Sequence, residues 1–303
     1  MIVITRINKI PRFKNPVVAL GVFDGLHRGH RNILNSAVRK ARKINGTSIA
    51  LTFDPHPQKE RSLYSLKHRL RLISELGVDV CIVINFSPGF AGMSADNFIA
   101  KILVNKIHSR FVYIGENFHF GKGALGDYKL LSIRAKKNNF ILNKFKVIKS
   151  GGRPISSTAI RKLIRGSKIK EAQRLLGRRV SVLGSVVRGS RIGRLLGFPT
   201  ANINPHHEVI PPSGIYAVQV IFSGKKYDGI CYIGSRPTVN AGKKHIQVEV
   251  HIFDFHKKIY GRFLEIQFVK LIRPDKKFAS MEDLSAQIKK DVISSRMILQ
   301  RYR

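Results

Sequence analysis

Apolar and polar positions divide the chain into two halves of different period. In the first half, residues 17–23 (Val-Val-Ala-Leu-Gly-Val-Phe) read as a buried strand. A loop rich in Gly and His follows, then an amphipathic stretch to about Asn45, with Gly46 near its end. Residues 47–53 give a second buried strand, closed by the turn Asp54-Pro55-His56-Pro57, and residues 66–76 show helical spacing that stops at Gly77. Residues 80–84 form a third strand and residues 111–114 a fourth. Between them, Ser94 precedes a helix with Asp96 in its first turn, where a carboxylate complements the helix dipole. The order β-α-β-α-β-α-β predicts a parallel sheet covered on both faces. Ligands of such sheets sit at the carboxyl ends of the strands.

The character changes after Gly177. Residues 180–187, 215–222, 227–233, 246–253 and 263–271 read as strands separated by Gly, Pro and Asn turns, a barrel or sandwich signature. A final helix is expected from about Met281 to the end, because Leu284, Ile288, Val292 and Ile293 recur at helical spacing. The boundary falls within residues 171–179, which gives two expected domains, residues 1–172 and 178–303. A length of 303 residues agrees with two cores.

Hydrophobic residues make up 43% of the chain, enough for ordinary cores. No apolar run approaches the roughly 18 residues of a membrane span. The start, residues 1–13, alternates apolar and basic residues without an apolar signal core, so a cytoplasmic protein beginning near Met1 is expected. Cys81 and Cys231 each lie in an apolar run and form no CxxC pair. They read as small buried hydrophobes in a reducing compartment.

The formal net charge is +37. It fits either a nucleic-acid-binding protein or an ordinary enzyme with a Lys/Arg-rich surface. Residues 1–170 hold 32 basic and 8 acidic residues and residues 171–303 hold 23 and 10, so the excess is spread over both halves. The cluster Arg39-Lys40-Ala41-Arg42-Lys43 lies on an expected helix and reads as a solvated face. A dedicated nucleic-acid site is not expected, although the field should draw in ATP and other anions.

The first chemical constellation is Gly21-Val-Phe23-Asp24-Gly25-Leu-His27-Arg-Gly29-His30. An HxGH tetrapeptide alone is weak, and its bland reading is a helix-start turn with two surface histidines. Its position is more specific, because it opens the first helix of a parallel α/β domain, where backbone N–H groups and the dipole favour phosphate. Gly29 lets a phosphate approach the backbone. His27 and His30 could hydrogen-bond phosphate oxygens and stabilise charge built up during displacement at phosphorus.

This stretch resembles the nucleotidyltransferase superfamily, and specifically the bacterial bifunctional riboflavin kinase/FAD synthetase family. The similarity runs on through Thr52-Phe-Asp-Pro-His-Pro57, Gly115-Glu-Asn117-Phe-His-Phe-Gly121 and Ile155-Ser-Ser157-Thr158-Ala-Ile-Arg161, and covers essentially the whole chain. It implies a Rossmann-like nucleotidyltransferase domain followed by a small antiparallel β-barrel riboflavin kinase domain with a C-terminal helix. It implies ATP-dependent phosphorylation of riboflavin to FMN, then adenylyl transfer from a second ATP to FMN. His27 and His30 match the adenylyl-transfer histidines, with Gly21, Phe23, Asp24, Gly25 and Gly29 around the nucleotide. Asn117 matches a polar loop position, and Ser157, Thr158 and Arg161 match an ATP-phosphate clamp. Independently of the family, residues 156–158 can cap the following helix, and Arg161 one turn inside it could meet a phosphate. Pro154 departs from the pattern, where a basic residue is common; the neighbouring Arg153 is a candidate substitute.

In the second half, Leu196-Gly197-Phe-Pro199-Thr200-Ala-Asn202 follows a glycine-bearing stretch, residues 189–194, that could fold over a nucleotide. On an extended segment Thr200 and Asn202 point to one side and offer two hard oxygens to Mg²⁺, which takes few protein ligands beside substrate phosphates. The motif resembles the Pro-Thr-Ala-Asn element of riboflavin kinases. Gln247-Val-Glu249-Val-His251 alternates on a strand. In the family the matching Glu249 is the base that takes the riboflavin 5′-hydroxyl proton; the plain alternative is a strand glutamate paired with a surface Lys or Arg. Residues 233–238 and 253–255 also match family segments, while Ser190 and Tyr232 depart from it, where an acid and an asparagine are frequent. The expected assembly is a monomer or weak homo-oligomer.

Overall fold

A computed structural model describes residues 1–57, 62–189, 192–236 and 245–302. The contacts divide the chain into two units: Met1–Ser62 with Leu66–Ser157, and Leu63–Ser65 with Thr158–Arg303.

The first unit is built on six parallel strands: β1 (Ile2–Ile4), β2 (Val17–Leu20), β3 (Ser48–Asp54), β4 (Val80–Asn85), β5 (Phe111–Gly115) and β6 (Ile141–Phe145). The central four were legible as apolar runs because both their faces are buried. The edge strands were not: β1 is three residues long and β6 carries Asn143 and Lys144, as partly solvated edges do. The expected strand 17–23 is shorter than read. It ends at Leu20, and residues 21–26 leave the sheet. The spatial order is β1-β4-β3-β2-β5-β6, so the winding reverses between β2 and β5. The carboxyl ends of β2 and β5 therefore flank the crevice where such sheets bind ligands.

Helix α1 (Arg28–Lys43) buries Ile33, Leu34, Ala37, Val38 and Ala41 on one face and ends in Lys40, Arg42 and Lys43, a favourable sign for its dipole. Then come α2 (Leu66–Glu75), α3 (Pro88–Ala91) and α4 (Ala95–Phe98), which continues as a π-type turn over Ile99–Val104. Ser94 caps α4 through its hydroxyl, which accepts from Asn97 N–H at 3.2 Å. α5 (Tyr128–Lys137) is capped by Asp127, and a two-residue hairpin, β7 (Lys149–Ser150) with β8 (Arg153–Pro154), closes the unit.

α6 (Ser157–Arg165) crosses the division, and α7 (Ile169–Leu176) ends at Gly177 in the left-handed region. The second half resolves the sheet alternatives in favour of a closed antiparallel barrel. Its strands are β9 (Ser181–Val187), β10 (Ala201–Asn204), β11 (Gly214–Phe222), β12 (Lys225–Arg236), β13 (His245–Ile252) and β14 (Phe263–Pro274), with α8 (Ile192–Leu195) before β10. Val218, Val220, Cys231, Val248, Val250, Ile266 and Phe268 are buried and alternate with the outer positions. Helix α9 (Met281–Gln300), capped by Ser280, lays Val292, Ile298 and Leu299 on outer residues Ala217, Ile230, Phe253 and Val269. Buried Glu208 accepts from Leu183 N–H, Ser65 N–H and the Ser65 hydroxyl at 3.0, 2.9 and 2.7 Å, which explains why residues Leu63–Ser65 belong to this unit.

Cys81 and Cys231 are free and buried. Burial pushes the Cys81 thiol up to about 12, against an opposing pull from Arg69. Burial, and secondarily the charge of Glu249, raises Cys231. Neither is a nucleophile near neutral pH.

Candidate active sites

In the first unit the chain leaves β2 through an unusual turn. Phe23, Gly25 and Leu26 have φ values of 52°, 77° and 41°, all in the left-handed region. The turn delivers His27 to the start of α1 as its N-cap, and Nδ1 of His27 accepts the N–H of His30 at 3.4 Å. An imidazole that accepts at Nδ1 keeps its proton on Nε2. The two rings stack, with centroids 3.7 Å apart, and the Phe23 ring meets His30 edge-on at 5.5 Å. A Cβ at Gly29 would lie 3.1 Å from the His27 ring, so the glycine between the histidines makes room for that stack.

His27 is buried. Burial, then the nearby His27, holds the His30 pKa well below the ordinary histidine value of 6.5, and the Asp24 backbone opposes this in part. His30 is therefore neutral at pH 7. Its Nδ1 is buried and makes no hydrogen bond of ordinary geometry. Asp24 is buried, with one carboxylate oxygen 3.9 Å from Nε2 of His56.

The Ser157 hydroxyl donates to the Asp24 carbonyl at 2.7 Å. The side chain ties the end of the first unit to the histidine loop. Thr158 is exposed and Arg161 is buried. Asn117 lies exposed in the loop after β5, at the same edge of the sheet as the histidine loop after β2. The pattern departure at Pro154 sits in the exposed β7–β8 hairpin, where Arg153 is exposed beside it. Sequence reasoning missed Arg69, a fully buried side chain that donates to Val22 O and Asp54 Oδ1 at 3.0 and 2.7 Å.

The second site lies on the outer face of the barrel. β10 pairs with β13 so that Asn202 stands opposite Glu249, and β13 pairs with β12 so that Glu249 stands opposite Tyr232. The Thr200 hydroxyl donates to Glu249 Oε2 at 3.0 Å. The Gln247 amide donates to Glu249 Oε1 and reaches Asn202 Oδ1 at 3.5 Å. His251 Nδ1 lies 2.8 Å from the Pro199 carbonyl and fixes the entry to this strand. The residues expected to act together, Thr200, Asn202 and Glu249, thus converge on one face. Among the described residues, the hydrogen-bond partners of Glu249 are neutral rather than the surface Lys or Arg of the plain alternative.

Gly189 underlies the Asn202 side chain, since a Cβ there would fall 2.0 Å from Asn202 Nδ2. Gly197 has a φ of 83° in the tight turn before Pro199. Tyr232 sends its hydroxyl to Asp275 Oδ2 at 3.2 Å, on the same outer face as Glu249. Ser190, Pro237 and Thr238, singled out in the sequence, lie outside the described residues. Among the described residues, no three His, Cys, Asp or Glu side chains cluster as a metal site. Two neutral oxygens beside a carboxylate are instead a donor set suited to a hard cation that shares its coordination with phosphates.

The family model for FAD synthetase matches residues 9–159, and that for riboflavin kinase matches residues 176–299. The chain is 37% identical over 288 residues to a bifunctional riboflavin kinase/FMN adenylyltransferase of Escherichia coli, covering 92% of this chain and 91% of that one. The corresponding protein of Haemophilus influenzae is also 37% identical, over 91% of each chain. A crystal structure described as a macrolide-efflux protein of Streptococcus pneumoniae superposes with a TM-score of 0.80 at 29% identity over 96% of both chains. Among the described residues, no helix is long and apolar enough to cross a membrane.

Proposed function

The chain belongs to the bifunctional riboflavin kinase/FMN adenylyltransferase family, and from that premise we propose how its residues divide the two reactions. Its activities are riboflavin kinase and FMN adenylyltransferase. We assign adenylyl transfer to residues 1–172 and the kinase to residues 178–303. The observation that carries the assignment is the convergence of Thr200, Asn202 and Glu249 on one face of the barrel, while His27 and His30 stack within the parallel-sheet unit after β2.

In the kinase reaction, riboflavin and ATP give FMN and ADP. The 5′-hydroxyl oxygen bonds to the γ-phosphorus, the bond from that phosphorus to the β-phosphate bridging oxygen breaks, and the hydroxyl proton goes to Glu249. A carboxylate has about four acceptor positions, so the donors Thr200 and Gln247 hold it while leaving it able to accept that proton. Thr200 and Asn202 would hold Mg²⁺, which supplies neutralisation of the phosphate charge. Because the Thr200 hydrogen points at Glu249, its lone pairs stay free for the cation.

In the second reaction an FMN phosphate oxygen bonds to the α-phosphorus of ATP and pyrophosphate leaves. No covalent enzyme intermediate is needed. His27 and His30, with the N-terminal amides of α1, stabilise charge on the α-phosphate. His27 and neutral His30, stacked at the start of α1, are the side chains we place against the α-phosphate oxygens. Gly21, Phe23, Asp24 and Gly25 shape the floor of this site, and Asn117 and Ser157 add nucleotide contacts; Thr158 and Arg161 stay assigned to ATP phosphate by their match to the family's clamp motif alone. The net charge of +37 acts as a long-range field for ATP rather than as a nucleic-acid site, in a cytoplasmic protein that is a monomer or weak homo-oligomer.

Incubation of the purified protein with riboflavin, ATP and Mg²⁺, followed by chromatography, tests the reading. FMN should appear first and FAD later. FMN accumulation without FAD, or FAD formed from added FMN but none from riboflavin, would mean that one of the assigned sites is inactive.

A further inference from the structure

The left-handed turn before His27 needs a restraint. Phe and Leu carry a Cβ that makes positive φ unfavourable, yet Phe23 and Leu26 both adopt it, at 52° and 41°. Such a turn persists where its surroundings over-determine it. Its entry is fixed at one carbonyl: Val22 O accepts from the Thr52 hydroxyl at 2.8 Å and from Arg69 Nη1 at 3.0 Å. Arg69 projects from α2, is 1% exposed, and cannot meet a nucleotide. Its Nη1 also donates to Phe53 O at 3.1 Å and Thr52 Oγ1 at 3.2 Å, while Nη2 donates to Asp54 Oδ1 at 2.7 Å. One planar guanidinium therefore joins the loop after β2 to the end of β3. A lysine has one nitrogen and cannot span those acceptors.

We propose that Arg69 is a positioning residue for adenylyl transfer: by holding the Val22 carbonyl against the end of β3, it fixes the left-handed turn that presents His27 and His30. The alternative is a buried cation that merely secures α2 in the fold. The inference rests on reading His27 and His30 as the adenylyl-transfer histidines.

The test uses Arg69→Met and Arg69→Lys in the full chain, with His30→Ala as the reference. FMN adenylylation is measured for kcat and for the ATP KM, riboflavin phosphorylation serves as internal control, and thermal unfolding reports the folded fraction. The His30 ring is followed by NMR through a pH titration. Displacing the histidines by even about 1 Å should lower kcat of Arg69→Met by about 10²-fold, with the ATP KM changed by less than about threefold. Arg69→Lys should recover only part of that loss. The His30 titration should move up toward its ordinary value as the ring stack loosens, and kinase activity should hold. A kcat within about twofold of wild type, a loss that merely tracks the folded fraction, or an unmoved His30 titration would overturn the proposal. If Arg69→Met does not fold, Arg69→Lys decides: a loss of about tenfold or more at unchanged Tm supports positioning, and full activity contradicts it. If His30→Ala leaves adenylylation intact, the reading of the histidines has failed. If His30→Ala is inactive while both Arg69 variants work, the Arg69 inference alone has failed.

Discussion

Thr200 donates its hydroxyl proton to Oε2 of Glu249 across 3.0 Å, which ties a candidate metal ligand to the candidate base by one bond. The direction of the bond matters. It orients the threonine lone pairs outward and holds the carboxylate where β10 meets β13.

Thr200→Val removes the oxygen and keeps the shape. Riboflavin phosphorylation should fall by about 10²-fold and require more Mg²⁺, while adenylylation of supplied FMN continues. A Mg²⁺ titration of both activities checks this. An unchanged kinase titration would remove Thr200 from the cation site.

The Asn202 side chain occupies the space a Cβ at Gly189 would take, 2.0 Å from its Nδ2. The flexible amide can swing away, so Gly189→Ala should fold with nearly the wild-type Tm yet lose kinase activity by about tenfold or more. Normal phosphorylation by this variant would show that Asn202 need not stay where the structure holds it.

Much of this architecture could be read from the sequence, for physical reasons that also explain the gaps. The buried strands β2, β3, β4 and β5 announced themselves as apolar runs, whereas edge strands β1 and β6 carry mixed faces that periodicity does not register. The partnership of Thr200 with Asn202 follows from their i, i+2 spacing on extended backbone. That of Glu249 with Gln247 was legible only as alternation, since the register that sets Asn202 opposite Glu249 is a tertiary fact. Arg69 gave no signal at all. It sits among Lys67, His68 and Arg71 on α2, and a polar run does not disclose that Arg69 and His68 are the members that turn inward. The bond from the Ser157 hydroxyl to the Asp24 carbonyl joins residues far apart in the chain, so the sequence around the helix start does not disclose it.

The depressed His30 pKa makes stability depend on pH. The unfolded chain takes up a proton at His30 near 6.5, while the folded protein does so only at lower pH. The unfolded state therefore binds more protons over that window, and stability is lost as pH falls below about 6.5. The Tm of the wild type should drop more steeply between pH 7.5 and pH 5 than that of His30→Gln, which has no such proton to take up. Parallel Tm profiles would show that the buried ring is not the titrating group.

The central claim, that two chemistries are housed by separate residues of one chain, is tested most directly by Glu249→Gln. Glutamine keeps the size and the hydrogen bonding of the glutamate but cannot take a full proton at neutral pH. Given riboflavin, ATP and Mg²⁺, the variant should form FMN about 10²–10⁴-fold more slowly than wild type. Given FMN in place of riboflavin, it should make FAD at the wild-type rate. A glutamate that served only as a surface polar group would contribute about 1 kcal/mol of stability at most and leave phosphorylation normal. Wild-type FMN formation by a folded Glu249→Gln protein would contradict the account, as would loss of both activities together with an unchanged melting curve.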